Sequence, residues 1–557
     1  IAGYTDSTDF PSTVGAYDVD PNGGRDAFVA RFDANLTTLQ AATYFGGTGF
    51  DVPTALELDS AGNIVIACWT NSSTFPVTAG AYSNSGGALR EAFVLKFDSS
   101  LSTLLVSSKF GGSTDDYAMD MTIAANGEIV VVGKTLSANF PTTVGAYDTT
   151  VSATDIFISR FNATLSTLAA STVLGGSGDE FEPVVLLRAN GEVVVAGETR
   201  SGKFPTTSGV YATTNRGLRD SFISVFNESL TTLSASTFIG GANEEYPSDL
   251  VEDSNGSLIL FGETSSTDYP TTVGALDRSF NGVRDLFISR LSSDLTTLVG
   301  STYLGGSAAE YSGSMLIADD GALYLTGSSE SVNYPLGVHP YDLTQNGYRD
   351  AVISRIDPTL SAVLQSTFIG GAQLDTLSAA AFDNEGHLVI AGQTLSTDYP
   401  TTTGAYDTTI NGASASDIFV TRITANLSSL DVTVDEVATT APDGAYDVGA
   451  VIPIQVVFTE PVAVNTTAGA PSLLLNSSGT ATYVGGDGTA TLEFSYTVAA
   501  GHTSLDLDYR TTASLLLNGA VITSVRTTQG ADLTLASPRL PGSIGSSANV
   551  VIDTGAL

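Results

Sequence analysis

Hydrophobic and polar positions alternate in short runs that turn residues cut apart. The pattern is clearest between Ser107 and Ser171 and its flanks. Leu104–Phe110 closes on Gly111-Gly112, Tyr117–Ala124 ends at Asn126-Gly127, and Glu128–Thr135 and Asp155–Phe161 follow. Runs rich in Val, Ile, Phe and Thr between such turns predict β-strands. Asn-Gly supplies the positive φ that a tight hairpin needs. The third run is apolar on both faces, as in Ile64-Val-Ile-Ala-Cys-Trp69 and Glu192-Val-Val-Val-Ala-Gly197. A strand buried on both sides fits packing between neighbouring sheets, not a solvated face.

The pattern repeats. Phe140-Pro-Thr-Thr-Val-Gly-Ala-Tyr147 has near-copies starting at Phe10, Phe75, Phe204, Tyr269, Tyr334 and Tyr399, at intervals of 65 residues with one of 64. Four antiparallel strands per unit in a repeat of this length predict β-propeller blades. The third and fourth runs each occur seven times, whereas the Gly-Gly run occurs six times, at Gly46, Gly111, Gly175, Gly240, Gly305 and Gly370. The expected fold is all-β: a seven-bladed β-propeller over residues 1–430, then a C-terminal Ig-like β-sandwich over 432–557. The two ends of the propeller are expected to share one blade, with one inner or middle strand absent from this sequence, so that closure is incomplete or uses residues outside it. The Phe-Pro-Thr-Thr stretch reads as a stiff outer connection that punctuates the blades, because proline cannot sit inside a central ladder.

Gly-Gly, an acid, an Asn-Gly turn, a strand ending Gly-x-Thr, Phe-Pro-Thr-Thr and Asp-x-Phe together resemble the SBBP-type bacterial propeller repeat. That resemblance implies a secreted or cell-surface bacterial protein and carries no shared enzymatic activity. Tyr446-Asp-Val-Gly449, Val456-Val-Phe-Thr-Glu-Pro461 and Thr491-Leu-Glu-Phe-Ser-Tyr496 resemble the tandem Ig-like modules of large bacterial adhesins. Similar segments at Val432-Thr-Val-Asp435 and Val551-Ile-Asp-Thr554 look like module linkers, so further copies are expected after Leu557; Ile1 in place of Met points to a processed chain.

Composition narrows the function classes. The formal net charge of −38 arises from 21 bases against 59 acids, so nucleic acid is an unsuitable partner. No run approaches the length of a membrane helix. Cys68 is the single cysteine, which excludes an intramolecular disulfide and fits a bacterial surface protein. It replaces a glycine of other copies and reads as a buried thiol. His339, His387 and His502 are far apart and support neither a zinc site nor a Ser-His-Asp triad.

Three groups are candidate sites. An acid follows each Gly-Gly pair, at Asp51, Asp116, Glu180, Glu245, Glu310 and Asp375. In a closed propeller these form a carboxylate ring. Recurrence in every copy favours a scaffold role, and the sharper reading is a ring for Ca²⁺ or a cationic ligand. Asp18, Asp20 and Asn22 match the start of a Ca²⁺ loop, but Val29 stands where the bidentate Glu belongs, which favours a plain turn. Asp443, Asp447, Glu460, Asp506 and Asp508 are loosely spaced Ca²⁺ candidates. Finally, one position varies between copies: Tyr4, Trp69, Lys134, Glu198, Glu263, Ser328 and Gln393. Tyr4 and Trp69 there, on adjacent blades, suit stacking on a sugar, although the pattern favours exposed aromatics with no ligand. The sequence therefore reads as a noncatalytic, extracellular, adhesin-like or appendage protein, with the propeller as interaction head and the Ig-like module as stalk. Its partners would be surface proteins, glycans or copies of itself. It needs no cofactor, with Ca²⁺ the one cation the loops suit. The alternative is a carbohydrate-binding or polysaccharide-degrading propeller.

Overall fold

A computed structural model describes residues 1–84, 89–337, 340–402, 404–411, 416–425, 427, 432–525 and 530–555, without the side chains of Asn84 and Glu460. It divides into two compact units, Ile1–Ser428 and Ser429–Leu557.

The first unit is a seven-bladed propeller. Five of its sheets carry four antiparallel strands in sequence order, from the inner to the outer edge; one adds the short Ser83–Asn84. Blade 3 shows why these residues make strands. Asp116–Ile123, Ile129–Thr135, Asp155–Phe161 and Leu168–Leu174 pair in register, and the two middle strands are buried along nearly their whole length. Their two apolar faces fill separate cores. Val131 and Phe157 pack towards blade 2, whereas Val130, Ile156 and Ile158 pack towards blade 4.

The ends of the propeller differ from expectation. Among the described residues they do not share a blade. Blade 1 has three strands among the described residues, Ala2–Thr5, Asp26–Phe32 and Leu39–Phe45, with no inner one. Blade 7 has Asp375–Phe382, Leu388–Thr394 and Asp417–Ile423, and lacks an outer one among the described residues.

The ring nevertheless closes, through the motif that had read as punctuation. Its aromatic start packs within its own blade: Phe140 stacks on Phe157 with centroids 4.6 Å apart, and Tyr399 on Phe419 at 4.5 Å. Its end reaches the next blade. The backbone N–H of Tyr17 donates to the carbonyl of Leu101 at 2.8 Å, Tyr147 to Leu230 at 3.0 Å and Tyr211 to Leu295 at 2.8 Å. The same bond runs from Tyr406 of blade 7 to Leu36 of blade 1 at 2.9 Å, with Tyr406 edge-on to Phe32. The acceptor leucines all hold a left-handed backbone, with φ of 51–60° at Leu36, Leu101, Leu165, Leu230, Leu295, Leu360 and Leu427. A branched side chain is costly there. It is retained because the side chain fills the inter-blade core: Leu230 is 0% exposed.

The second unit is the Ig-like sandwich. A seven-stranded sheet and the three-stranded sheet of Gly444–Tyr446, Val550–Asp553 and Thr503–Ser504 share one core. Its axis is Val451–Asn465, where Ile452, Ile454, Val456 and Phe458 are buried at alternate positions. Leu505–Tyr509 and Leu533–Ala536, although apolar residues recur along them, are not strands; Tyr509 makes only an isolated bridge to Leu475. No helix among the described residues is long and apolar enough to cross a membrane.

Leu230→Ala should lower unfolding stability by ~2–5 kcal/mol through the cavity it leaves. Leu230→Gly should cost less than alanine, the reverse of the usual order, because glycine relieves the left-handed backbone. Denaturant titration of both variants checks this.

Candidate functional site

The six ring acids lie inside the sheets, not on a surface. Each is 0% exposed. Asp116 accepts from the backbone N–H of Gly112 at 2.7 Å, Thr135 Oγ1 at 2.5 Å and Ser137 Oγ at 2.9 Å. Asp51 accepts from Gly47, Thr70 and Ser72, Asp375 from Gly371 and Ser396, and Glu180, Glu245 and Glu310 use equivalent hydroxyls. A Thr-x-Ser or Ser-x-Ser cradle on the second strand thus holds each carboxylate. The Gly-Gly motif follows from the same packing. A Cβ on Gly111 would stand 2.6 Å from Asp116 Oδ2.

A second acid reaches this place from the preceding blade. Beside Gly175 stand Asp155 and Glu180; beside Gly240, Asp220 and Glu245; beside Gly305, Asp285 and Glu310; beside Gly370, Asp350 and Asp375. All eight are buried. Burial is the main force on these groups, and it favours the neutral form. It pushes Asp285 and Glu245 up to about 7 and Asp220 and Asp350 up to about 6, with repulsion inside the pair adding to it at Asp285, Glu245 and Asp350 and repulsion from Asp268 at Asp220. Asp155 and Glu180 are both raised, again chiefly by burial. Glu91, the counterpart before Asp116, is paired with the Lys109 ammonium instead.

Asp18, Asp20 and Asn22 form a turn closed on itself. Asn22 Nδ2 donates to Asp18 Oδ2 at 2.5 Å and the Asp20 N–H donates to Asp18 Oδ1 at 3.2 Å. Asn281 repeats the first bond to Asp277, and Asn411 to Asp407, where no second Asp is present. In the Ig-like unit, Asp443 accepts from the Asn549 N–H, Asp447 from Val448 and Asp508 from Arg539; Asp506 lies beside Asp508. His339 lies outside the described residues. His502 bonds Tyr496, and Cys68 is buried, which pushes its thiol well up. Asp383, Glu385 and His387 are the one cluster of three potential metal donors among the described residues. Arg422 already supplies its positive charge, donating to Asp383 at 2.6 Å, Glu385 at 2.5 Å and His387 at 2.8 Å.

The variable position leads to an exposed feature. Arg25 lies over the Tyr4 ring at 4.4 Å, and Tyr4 is 41% exposed. Trp69 meets Tyr117 edge-on at 5.3 Å, with Arg90 over both rings. The alternation continues from blade to blade. Lys134 lies over Tyr117 and Phe181, Arg219 over Phe181 and Tyr246, Arg284 over Tyr246 and Tyr311, and Arg349 over Tyr311 at 3.5 Å. Each cation also has an acid: Arg25–Asp6, Arg90–Asp115, Lys134–Glu182, Arg219–Glu198, Arg284–Glu263 and Arg349–Glu330. The result is a rim of rings and ion pairs. Tyr4 and Trp69 each join it through the arginine of their own blade.

The arginines and inner-strand aromatics of this rim were missed in the sequence. Two dipeptides signal them: Arg before the third-strand acid, as in Arg219-Asp220, and an aromatic after the ring acid, as in Glu245-Tyr246. Blade 4 departs furthest from the pattern. Glu182 holds φ of 45°. Burial pushes Glu198 up to about 7 against the pull of Arg219. The equivalent Glu263 also accepts from the Ser312 N–H at 2.8 Å, but Pro247 stands at the matching place beside Glu198 and has no N–H to give.

No family model and no curated relative matches the chain. Several solved structures are similar to it at low identity and low overlap. A Dyadobacter fermentans protein of unknown function is 12% identical, with a TM-score of 0.35 over 62% of this chain and 91% of that one. An ulvan lyase of polysaccharide lyase family PL25, bound to -[GlcA(1-4)Rha3S]-, is 11% identical, with a TM-score of 0.40 over 76% and 94%. A compost-metagenome GH43 β-xylosidase/α-arabinofuranosidase is 10% identical, with a TM-score of 0.26 over 55% and 91%. The likeness to the SBBP-type repeat rests on the motif alone.

The buried acid pairs make stability fall with rising pH. An acid whose folded-state value is raised contributes fully below about pH 4, the ordinary carboxylate range, and the contribution is lost as pH rises through about 7. Asp285→Asn removes one charge and keeps an acceptor for the Asn281 N–H. It should raise the melting temperature at pH 8 and flatten its slope between pH 5 and 8. Thermal melts across that range decide it; a slope unchanged from the parent would refute the pairing.

Proposed function

We infer that the chain is a noncatalytic extracellular component of a bacterial surface, adhesin-like or part of an appendage. The propeller is its binding head, the Ig-like module its stalk, and glycans are the ligands its rim takes. The rim carries this reading. Half-buried rings, with Tyr4 exposed, interleaved with guanidinium donors offer what a polyhydroxylated chain needs: apolar area and fixed hydrogen-bonding groups. The ring acids support a scaffold role, because each is buried and bound within its own blade. The reading requires no cofactor.

The second reading, a polysaccharide-degrading enzyme, draws on blade 4, where Glu182 and Glu198 break the repeat. Paired carboxylates suit glycosidic chemistry, and a carboxyl raised towards 7 suits a general acid. Against it, Glu198 is 1% exposed, so a substrate does not reach it in this conformation.

Binding to immobilised polysaccharides separates the two. Trp69→Ala and Arg90→Ala should each weaken retention by about tenfold or more, the scale of one lost stacking or charged contact, with the melting temperature preserved. Soluble sugar released by the parent and abolished in Glu198→Gln would favour the enzyme. Retention unaffected by either rim variant would remove the rim from the account.

A further inference from the structure

We propose that Lys109 and Glu91 of blade 2 join covalently, their side chains condensing into an amide that ties the third strand of the blade to its outer strand. The proposal is independent of the glycan reading.

Register brings the two groups together. Phe93 of strand Glu91–Phe97 stands opposite Lys109 of strand Leu104–Phe110. Opposed residues share a face of the sheet, and so do residues two apart on one strand. Glu91, Phe93 and Lys109 therefore lie on the same face. The Lys109 ammonium meets the Glu91 carboxylate as an ion pair and lies 5.9 Å from the centre of the Phe93 ring. Little water reaches the place: the Glu91 side chain is 8% exposed and that of Lys109 20%. Glu91 Oε1 is buried with no hydrogen-bond partner among the described residues.

Both members depart from the repeat, and they do so together. Where Lys109 stands, the outer strands of the other blades carry Tyr44, Val173, Phe238, Tyr303 and Phe368, each opposite the counterpart of Phe93. Where Glu91 stands, the other blades carry Asp26, Asp155, Asp220, Asp285, Asp350 and Asp417. Those aspartates are held by backbone N–H groups of the loop before them, as Asp26 is by Asn22 and Asp285 by Asn281. Glutamate has one more methylene, which gives its carboxyl the reach to meet the amine. An ion pair alone is a poor reason for both changes, because it takes two charges out of water where the other blades place an apolar or aromatic side chain. Condensation removes both charges at once.

The step needs no co-reactant. The Lys109 nitrogen attacks Glu91 Cδ, a C–N bond forms and one C–O bond breaks. Two ammonium protons leave on the departing oxygen as water, so the ion pair becomes a neutral amide with no change in oxidation state. Burial pulls the Lys109 amine below its ordinary value and so favours the uncharged form that attacks. Contact within the fold supplies the proximity that the same reaction lacks between free side chains. Cys68 has no partner for a disulfide within the chain, so a covalent brace has to come from other side chains.

The test is the mass of the chain, purified folded and then denatured. It should fall short of the sequence mass by one water. Trypsin cuts after Arg90 and Lys96 but not after an acylated Lys109, so residues 91–96 should be recovered joined to residues 97–134. Lys109→Met and Glu91→Ala should each show the full mass of the variant and release residues 91–96 or their variant as a free peptide. The decisive measurement is made on the parent, so a variant that fails to fold does not confuse it. A parent chain of full sequence mass, or a lost water accompanied by free residues 91–96 and cleavage after Lys109, would overturn the proposal.

Discussion

Burying a carboxylate between β-sheets imposes conditions that most of this structure obeys. Such a group is costly unless donors surround it. Here they come from two hydroxyls on the adjacent strand and one glycine N–H. The glycine pair gives the acid room, the Thr-x-Ser cradle gives it partners, and the acid fixes where the inner strand starts. Strand register within each blade is thereby tied to the turn that enters it from the preceding one. What looks in sequence like several separate motifs is one local constraint met six times.

That constraint explains what could be read before any coordinates. Strand limits were legible because turn glycines and asparagines bound each run: Leu104–Phe110 and Asp155–Phe161 are strands over those same residues. The number of blades followed from counting. Roles that depend on contacts between repeats were not legible. Tyr406 reaches Leu36 across nearly the whole propeller, so no local pattern announces it. The closing motif therefore read as a spacer. The arginines of the rim were hidden for another reason. Arg219 precedes an acid in sequence, which suggests a local ion pair, yet it joins Glu198 on the neighbouring strand and two rings from successive blades. In the Ig-like unit, Leu505–Tyr509 alternates like a strand but turns aside to place Asp508 against Arg539.

The repeat also separates scaffold from specificity. Positions that serve the cradle or the leucine latch barely vary, because changing one leaves a buried polar group or a cavity. The position occupied by Tyr4, Trp69, Lys134, Glu198, Glu263, Ser328 and Gln393 is free of that burden and carries a different chemistry in each blade. The rim is consequently asymmetric although its frame is not. Its aromatic end lies in blades 1 and 2 and its acidic positions in blades 4 and 5, so a ligand meets distinct surroundings around the circumference.

The latch between Tyr406 and Leu36 has a mechanical consequence. Six of the seven junctions in the ring are crossed by the polypeptide itself, so pulling neighbouring blades apart there loads covalent bonds. Among the described residues the seventh is crossed by a backbone hydrogen bond and the contact of Tyr406 with Phe32. That bond repeats at the seventh junction the one that links successive blades elsewhere, so the latch holds blades that are far apart in sequence as it holds blades that are neighbours in it.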